Sequence, residues 1–451
     1  MNDTITAIST ALGIGAISIV RLSGKDSINI VNSHFSGTDL TKVKSHTIHY
    51  GYIKDENEII DEVLVSIMKS PKTFTTEDIV EINCHGGIST TNRVLELMLT
   101  SGARLAEPGE FTKRAFINGR IDLVEAESVM DLINSKTEKS RKLGINHITG
   151  NLSEIIHSFR EELISLLASI EVNIDYPEYL DIEEMTNKNI KDKMSDFKQK
   201  LEKIVTESEQ GKIINEGINV TIIGKPNVGK SSLLNKLLKE DKAIVTDIQG
   251  TTRDIIEGKI NIDGIVLNII DTAGIRETND IVEKIGVEKS IKTIEQSDLV
   301  LLVLNNNEIL SKEDEDLLEK IKNYKSIIVV NKIDLDKKLD YNKIKGKNVV
   351  YINTLTYDGI KPLIDKIKEL FNLEQLDNSD LTYLSNSRQI SLAKEAQNII
   401  KDIEKGLDNN VPIDMLEIDI KRIWEKLGEI IGETYQEELI DKLFSQFCLG
   451  K

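Results

Sequence analysis

At 451 residues the chain is too long for one hydrophobic core, so two or three domains are expected. Its composition, 39% hydrophobic and 29% charged, fits a folded protein and excludes long disorder. A formal charge of −18 excludes a general nucleic-acid coat or a polybasic membrane binder, though not a local basic face that meets one RNA.

The chain opens on an uncharged run from Ile5 to Val20. No Lys or Arg precedes it, Asp3 does, and Ser, Thr and Gly interrupt it, so a buried strand is expected rather than a signal peptide. No run approaches the ~20 apolar residues of a membrane span. Through residues 1–118 the segments AISIVRL, VLVSIM and DIVEIN are short, β-branched and strand-like, and GARLAEPGEFT supplies turn punctuation. A mixed α/β unit is expected there.

Residues 119–216 change texture and read as helical. Ile156, Phe159, Leu163, Leu167 and Ile170 recur every three to four positions and predict one apolar stripe. Lys136, Lys139, Arg141 and Lys142 read as a solvated helix face. Residues 217–372 alternate strands and helices: INVTIIG, VLNIID, DLVLLVLN and SIIVVNK suit a doubly wound sheet. Asp263-Gly264 between KINI and IVLNII predicts a hairpin, hence one antiparallel edge strand on an otherwise parallel sheet. Residues 373–451 are helical again, so the α/β unit looks inserted between two helical stretches.

The chemistry begins with GKPNVGKS, Gly224 to Ser231, which fits G-x-x-x-x-G-K-[ST] between a strand and a helix. Its glycines let backbone N–H groups turn inward around phosphate oxygens at a helix N-terminus. Lys230 is expected to reach the β- and γ-phosphates and Ser231 to ligate Mg²⁺. NKID, Asn331 to Asp334, follows another strand. The Asp334 carboxylate can accept the two N–H donors on one edge of guanine, whereas adenine offers it an acceptor. GTP is therefore expected rather than ATP. DTAG, Asp271 to Gly274, suits a γ-phosphate-sensing loop, and TDIQGTTRD, Thr246 to Asp254, a first switch, with a plain surface loop as its alternative. Many GTPases follow DTAG with a water-orienting glutamine; here the residue is Ile275, which orients nothing. The expected nucleotide shell is Asn227, Val228, Gly229, Lys230, Ser231 and Ser232; Thr246, Asp247, Ile248, Gln249, Gly250, Thr251 and Thr252; Asp271, Thr272, Ala273 and Gly274; and Asn331, Lys332 and Asp334.

Together, GKPNVGKSS, TDIQGTTRD, DTAGIRE and NKID resemble the MnmE (TrmE) family of tRNA-modification GTPases. The resemblance extends to PGEFTKRAFINGRIDLVEAES, Pro108 to Ser128, and to the terminal FCLGK, Phe447 to Lys451, so it covers essentially the whole chain. It implies an α/β multidomain protein: an N-terminal α+β folate-binding domain at 1–118, a discontinuous helical domain at 119–216 and 373–451, and an inserted Ras-like P-loop G domain at 217–372. It implies a homodimer whose G domains meet across their nucleotide faces. K⁺ would take ligands from Asn227, Thr246, Ile248 and Thr251, and Mg²⁺ from Ser231 and Thr252. Glu283 would position water in place of the missing glutamine, with an exposed helix acid as the plain alternative.

The resemblance further implies that Arg21, Glu81, Arg120 and Lys451 contact a tetrahydrofolate derivative, 5-formyl or 5,10-methylene. Arg120 stands where the family usually has lysine. Cys448 would be a candidate reactive thiol, against the alternative of an inert terminal cysteine. Cys84-His85 has no partner pair for a metal site, so a packed or hydrogen-bonded pair is expected. Two loops depart from the family pattern: ALGIGA, Ala11 to Ala16, and the guanine-loop equivalent Asn353, Thr354 and Leu355. The implied partners are FAD-dependent MnmG and tRNA, without a membrane. The two cysteines form no disulfide framework, which fits a cytoplasmic setting. An Era-type GTPase switch in ribosome assembly is the alternative; it has no use for the folate residues or the tail. A folate-dependent scaffold with a degenerate nucleotide site is a second, which the intact GKPNVGKS and NKID oppose.

Overall fold

The computed structural model describes residues 3–175, 186–239, 256–262, 264–270, 294–356, 359–373, 383–434, 437–448 and 450. Its packing divides the chain into two compact units, one of residues 1–130, 147–187 and 399–451, the other of residues 131–146 and 188–398.

The first unit is built on a seven-stranded sheet in the order β3-β4-β5-β6-β2-β1-β7. Its strands are β1 (Ile5–Ile8), β2 (Ile17–Ser23), β3 (Phe35–Ser36), β4 (Thr47–Asp55), β5 (Glu58–Met68), β6 (Ile79–His85) and β7 (Arg104–Leu105). Only the short β1–β7 pairing is parallel. Alternation along β2 and β6 sends Val20, Leu22, Val80, Ile82 and Cys84 into the buried core, with Ile28 and Val31 of the Ser27–His34 helix and Val94 and Met98 of the Ile88–Thr100 helix. Arg21 and Glu81 fall on the alternate positions and face each other across the β2–β6 ladder.

The same unit holds the Asn151–Asp175 helix against the Ile413–Ile431 helix. The expected stripe is present with one correction. Leu152, Ile156, Phe159, Leu163, Leu166 and Ile170 are buried, while Leu167 is half-buried. The buried set steps by four and three in strict alternation, the seam that a close helix partner selects. A looser three-to-four rhythm admits either leucine. Arg160, on the same helix, lies 4.1 Å over the Trp424 ring and pairs with Glu433. Phe444 of the Glu437–Phe444 helix packs against Phe116 of the Glu110–Ile117 helix.

The second unit carries a six-stranded sheet in the order β13-β12-β11-β8-β10-β9. Here β8 is Ile218–Ile223, β9 Ile256–Ile262, β10 Ile265–Ile270, β11 Leu299–Asn305, β12 Ser326–Asn331 and β13 Val349–Tyr351. Every pairing is parallel except β9–β10, where Ile262 faces Ile265 across a two-residue turn. This is the hairpin expected from Asp263-Gly264; Gly264 takes φ +86, and Asp263 lies outside the described residues. All seven residues of β11 are buried, as suits a central parallel strand covered on both faces. The strand order reverses at β8, so its C-terminal edge is the topological switch point where ligands bind in open α/β sheets.

The basic cluster differs from expectation in part. Lys142 and Arg141 are exposed on the Glu138–Ile148 helix, but Lys136 and Lys139 are half-buried, the stem of Lys139 lying against Gly264. Leu143, one residue beyond that cluster, joins the core of the second sheet.

Candidate functional site

The phosphate loop leaves β8 at Ile223 and enters the Lys230–Lys239 helix. Gly224 and Gly229 take φ +145 and +102, and Asn227 takes +64. A Cβ at Gly224 would stand 2.5 Å from the Val303 carbonyl, so glycine is required for the loop to lie against β11. The Lys230 ammonium donates to the carbonyls of Gly224 and Lys225, each at 2.7 Å. Burial holds its pKa below the ordinary lysine range, which marks a cation short of water and suited to a phosphate.

NKID is fastened to this loop. Asn331 Nδ2 donates to the Val228 carbonyl at 3.1 Å, and Lys332 Nζ donates to the Asn227 carbonyl at 2.8 Å. A motif more than a hundred positions downstream is thereby set beside the glycine-rich loop. Asp334 is exposed and free to accept from a base edge. The departed loop forms a turn in which Asn353 Oδ1 accepts from the Leu355 amide at 2.9 Å. Leu355 is exposed and Thr354 half-buried.

The expected first-switch residues Thr246, Asp247, Ile248, Gln249, Gly250, Thr251 and Thr252 lie outside the described residues. So do Asp271, Thr272, Ala273, Gly274, Glu283 and Lys451.

A second constellation stands on the first sheet. Arg21 Nε and Nη2 reach Glu81 Oε1 at 2.9 and 2.8 Å, and the guanidinium lies 5.6 Å from the Phe111 ring centroid. The C-terminal segment comes to the same place. The Gly450 carbonyl accepts from Ser9 Oγ at 3.1 Å and from Arg21 Nη1 at 3.4 Å, and the Cys448 carbonyl accepts from the Gly109 amide at 3.2 Å. The Cys448 thiol is exposed. Arg120 stands apart from that pair: it donates to the Phe74 carbonyl at 3.2 Å and lies 4.9 Å from the Phe74 ring centroid. Phe74 packs on the cluster that contains Phe111, so the two arginines flank one aromatic patch.

Cys84 and His85 part company. Cys84 is buried, donates to the Ser18 carbonyl, and has its thiol pKa raised by burial. His85 Nδ1 pairs with Asp61 at 2.7 Å. ALGIGA leaves Leu12 and Ile14 exposed and is tied by Gly15 and Gly86, whose amide and carbonyl meet at 2.9 Å.

Glu110 and Arg114 lie within the Pro108–Ser128 motif, and neither is among the site residues expected from the sequence. Arg114, 1% exposed, binds Asp3, Glu77 and Glu110, and Arg104 binds Asp3 and Glu110. This network fixes the helix whose N-cap, Gly109, receives the tail. The i, i+4 spacing of Glu110 and Arg114 was a legible signal; Asp3 and Glu77 were not.

Comparison with known proteins agrees along the whole length. A family model for the GTP-binding protein TrmE N-terminus matches residues 4–120, and one for the MnmE helical domain matches residues 123–448. The tRNA modification GTPase MnmE of Bacillus cytotoxicus is 54% identical over 455 residues, covering 100% of this chain and 99% of that protein. The Staphylococcus aureus protein of the same name is 53% identical over 456 residues, with the same coverage. The chain belongs to the MnmE (TrmE) family. It is a GTP hydrolase. Among solved structures, the G domain of the T. maritima FeoB iron transporter is 32% identical over 34% of this chain and 98% of that one, with a TM-score of 0.26. Within this MnmE-family chain no described helix is long and apolar enough to cross a membrane.

Proposed function

We propose that this chain is a K⁺-stimulated GTPase that acts with the FAD-dependent partner MnmG. Together they add an aminomethyl or carboxymethylaminomethyl group to C5 of the wobble uridine, position 34, of certain tRNAs. The carbon comes from a tetrahydrofolate derivative, and the work takes place in the cytoplasm. The domain arrangement that goes with this reading is a folate domain at 1–118 that dimerises, a helical domain at 119–216 and 373–451, and a G domain at 217–372.

One observation carries the reading: the Gly450 carbonyl of the terminal FCLGK segment seats on Arg21, itself paired with Glu81 across the first sheet. A GTPase switch alone has no use for such a contact. The pair suits a folate, because a guanidinium matches a glutamate-tail carboxylate and a carboxylate accepts from pterin N–H groups. Cys448, two residues before Gly450, carries an exposed thiol.

On the G domain, Asn227 and Ser231 have exposed side chains that no described residue engages, so both are open to cations. Asn227 with Thr246, Ile248 and Thr251 would hold K⁺, and Ser231 with Thr252 would hold Mg²⁺. Bound there, these ions supply positive charge where negative charge grows on the phosphates. Lys230 holds the β- and γ-phosphates, the Gly274 N–H senses the γ-phosphate, and Glu283 orients water.

The test is GTP turnover in K⁺ against Na⁺, with and without Glu283→Ala. Equal rates in the two salts overturn the cation assignment, and an unchanged rate for the variant overturns the role of Glu283. Nucleoside analysis of tRNA from cells lacking the chain tests the modification itself. A wobble uridine that stays modified would sink it.

A further inference from the structure

The phosphate loop has few internal supports. Its backbone passes through left-handed conformations at Gly224, Asn227 and Gly229, and only Val228 among its residues is buried. Ordering such a loop costs conformational entropy, a cost that falls on nucleotide binding unless something holds the loop beforehand.

Lys225 is placed to do so. It follows the first glycine of the loop, and its own carbonyl accepts from Lys230 Nζ. Its ammonium stands 2.8 Å from Asp314 Oδ2 and 3.5 Å from Glu308 Oε2, with 15% of the side chain exposed. Asp314 is a rigid anchor. It is buried at the third position of the Lys312–Lys320 helix, in a capping box where the Ser311 amide and hydroxyl both donate to Oδ2, at 2.9 and 2.8 Å. Glu308 is held in turn by Asn305 Nδ2.

The same connection continues to the base loop. The Asn306 amide donates to the Asn331 carbonyl at 3.0 Å, and Asn306 Nδ2 donates to the Leu335 carbonyl at 3.1 Å. The segment after β11 therefore grips the phosphate loop through Lys225 and the NKID loop through Asn306. An exposed lysine pair is worth little; one locked to a buried, doubly bonded carboxylate sets a position.

We propose that Lys225, anchored by Asp314, is a positioning residue that holds the Gly224–Asn227 backbone in its nucleotide-receiving shape before nucleotide arrives. It acts through the loop on both GTP and GDP. The proposal rests on GTP binding alone, so its failure leaves the folate and K⁺ reading untouched, and the reverse.

The experiment uses the full chain, with fluorescent GDP and GTP titrations, steady-state turnover and thermal melts. Lys225→Ala weakens both nucleotides about tenfold and raises KM by a similar factor, while kcat at saturating GTP stays within about twofold. Asp314→Asn keeps an acceptor for Ser311 but loses the charge, and gives the same loss. The double variant binds no worse than the weaker single one, because both remove one interaction. Lys225→Arg restores binding to within about threefold of the natural chain. The proposal is overturned if Lys225→Ala binds GDP within twofold of the natural chain, if the two losses multiply in full, or if only the melting temperature moves.

Discussion

The backbone amide of Gly109 donates to the carbonyl of Cys448 across 339 positions of sequence, at 3.2 Å. Gly109 sits at φ +69 just before the Glu110–Ile117 helix, and a Cβ there would stand 2.7 Å from the Phe444 carbonyl and 2.8 Å from Phe447 Cβ. The C-terminal segment thus closes on a residue that must be glycine for two reasons, its backbone conformation and the tail pressed against it.

Gly109→Ala is expected to lower stability by roughly 1–3 kcal/mol, combining left-handed strain with the clash. Its more telling effect is on the tail. Carboxypeptidase digestion of the terminus should accelerate, while guanine nucleotide affinity of the other unit stays unchanged. A tail as resistant as in the natural chain would show that the contact does not hold it.

Asp334 is exposed beside the phosphate loop with its carboxylate open. Asp334→Asn replaces an acceptor by a group that offers N–H donors, so guanine loses a partner and xanthine, with a carbonyl in place of the 2-amino group, gains one. GTP affinity should fall by about 10²- to 10⁴-fold, and xanthosine triphosphate should bind better than GTP. Competition binding measures both.

His85 pairs with Asp61, whose hydrogen bond and charge raise the imidazole pKa above the ordinary 6.5. A raised pKa means that the folded state holds the proton more tightly than the unfolded one. The stabilisation is complete below pH 6.5 and is lost as the pH climbs through the raised value. NMR titration of His85 should show a midpoint above 6.5, and Asp61→Asn should bring it down. A midpoint indifferent to that substitution would remove Asp61 as the cause.

The two neighbouring leucines of the long helix separate seam from flank. Leu166 is 5% exposed in the seam with the Ile413–Ile431 helix, and Leu167 is half-buried. Leu166→Ala should cost about 2–5 kcal/mol, and Leu167→Ala clearly less. Urea unfolding of each variant decides the order.

Much of the architecture was legible in local pattern. GKPNVGKS runs from β8 into a helix, and NKID begins on the last residue of β12, because short buried strands and glycine turns declare themselves over a few residues. The hairpin at Gly264 was legible for the same reason, since a two-residue turn with φ > 0 selects its own sequence. The choice between Leu166 and Leu167 was not, because a helix period near 3.6 admits both until a partner helix picks a seam.

What the chain's order of residues determined by itself, then, was the kind of element at each place and the chemistry its motifs could perform. Tertiary structure alone decided which distant groups meet: Arg21 opposite Glu81, Gly450 on Arg21, Lys225 on Asp314, Arg114 among Asp3, Glu77 and Glu110. The physical reason is that dihedral preference and hydrophobic period act over a turn or a strand. A hydrogen bond between residues hundreds of positions apart depends on how whole sheets and helices pack, and no local window carries that information.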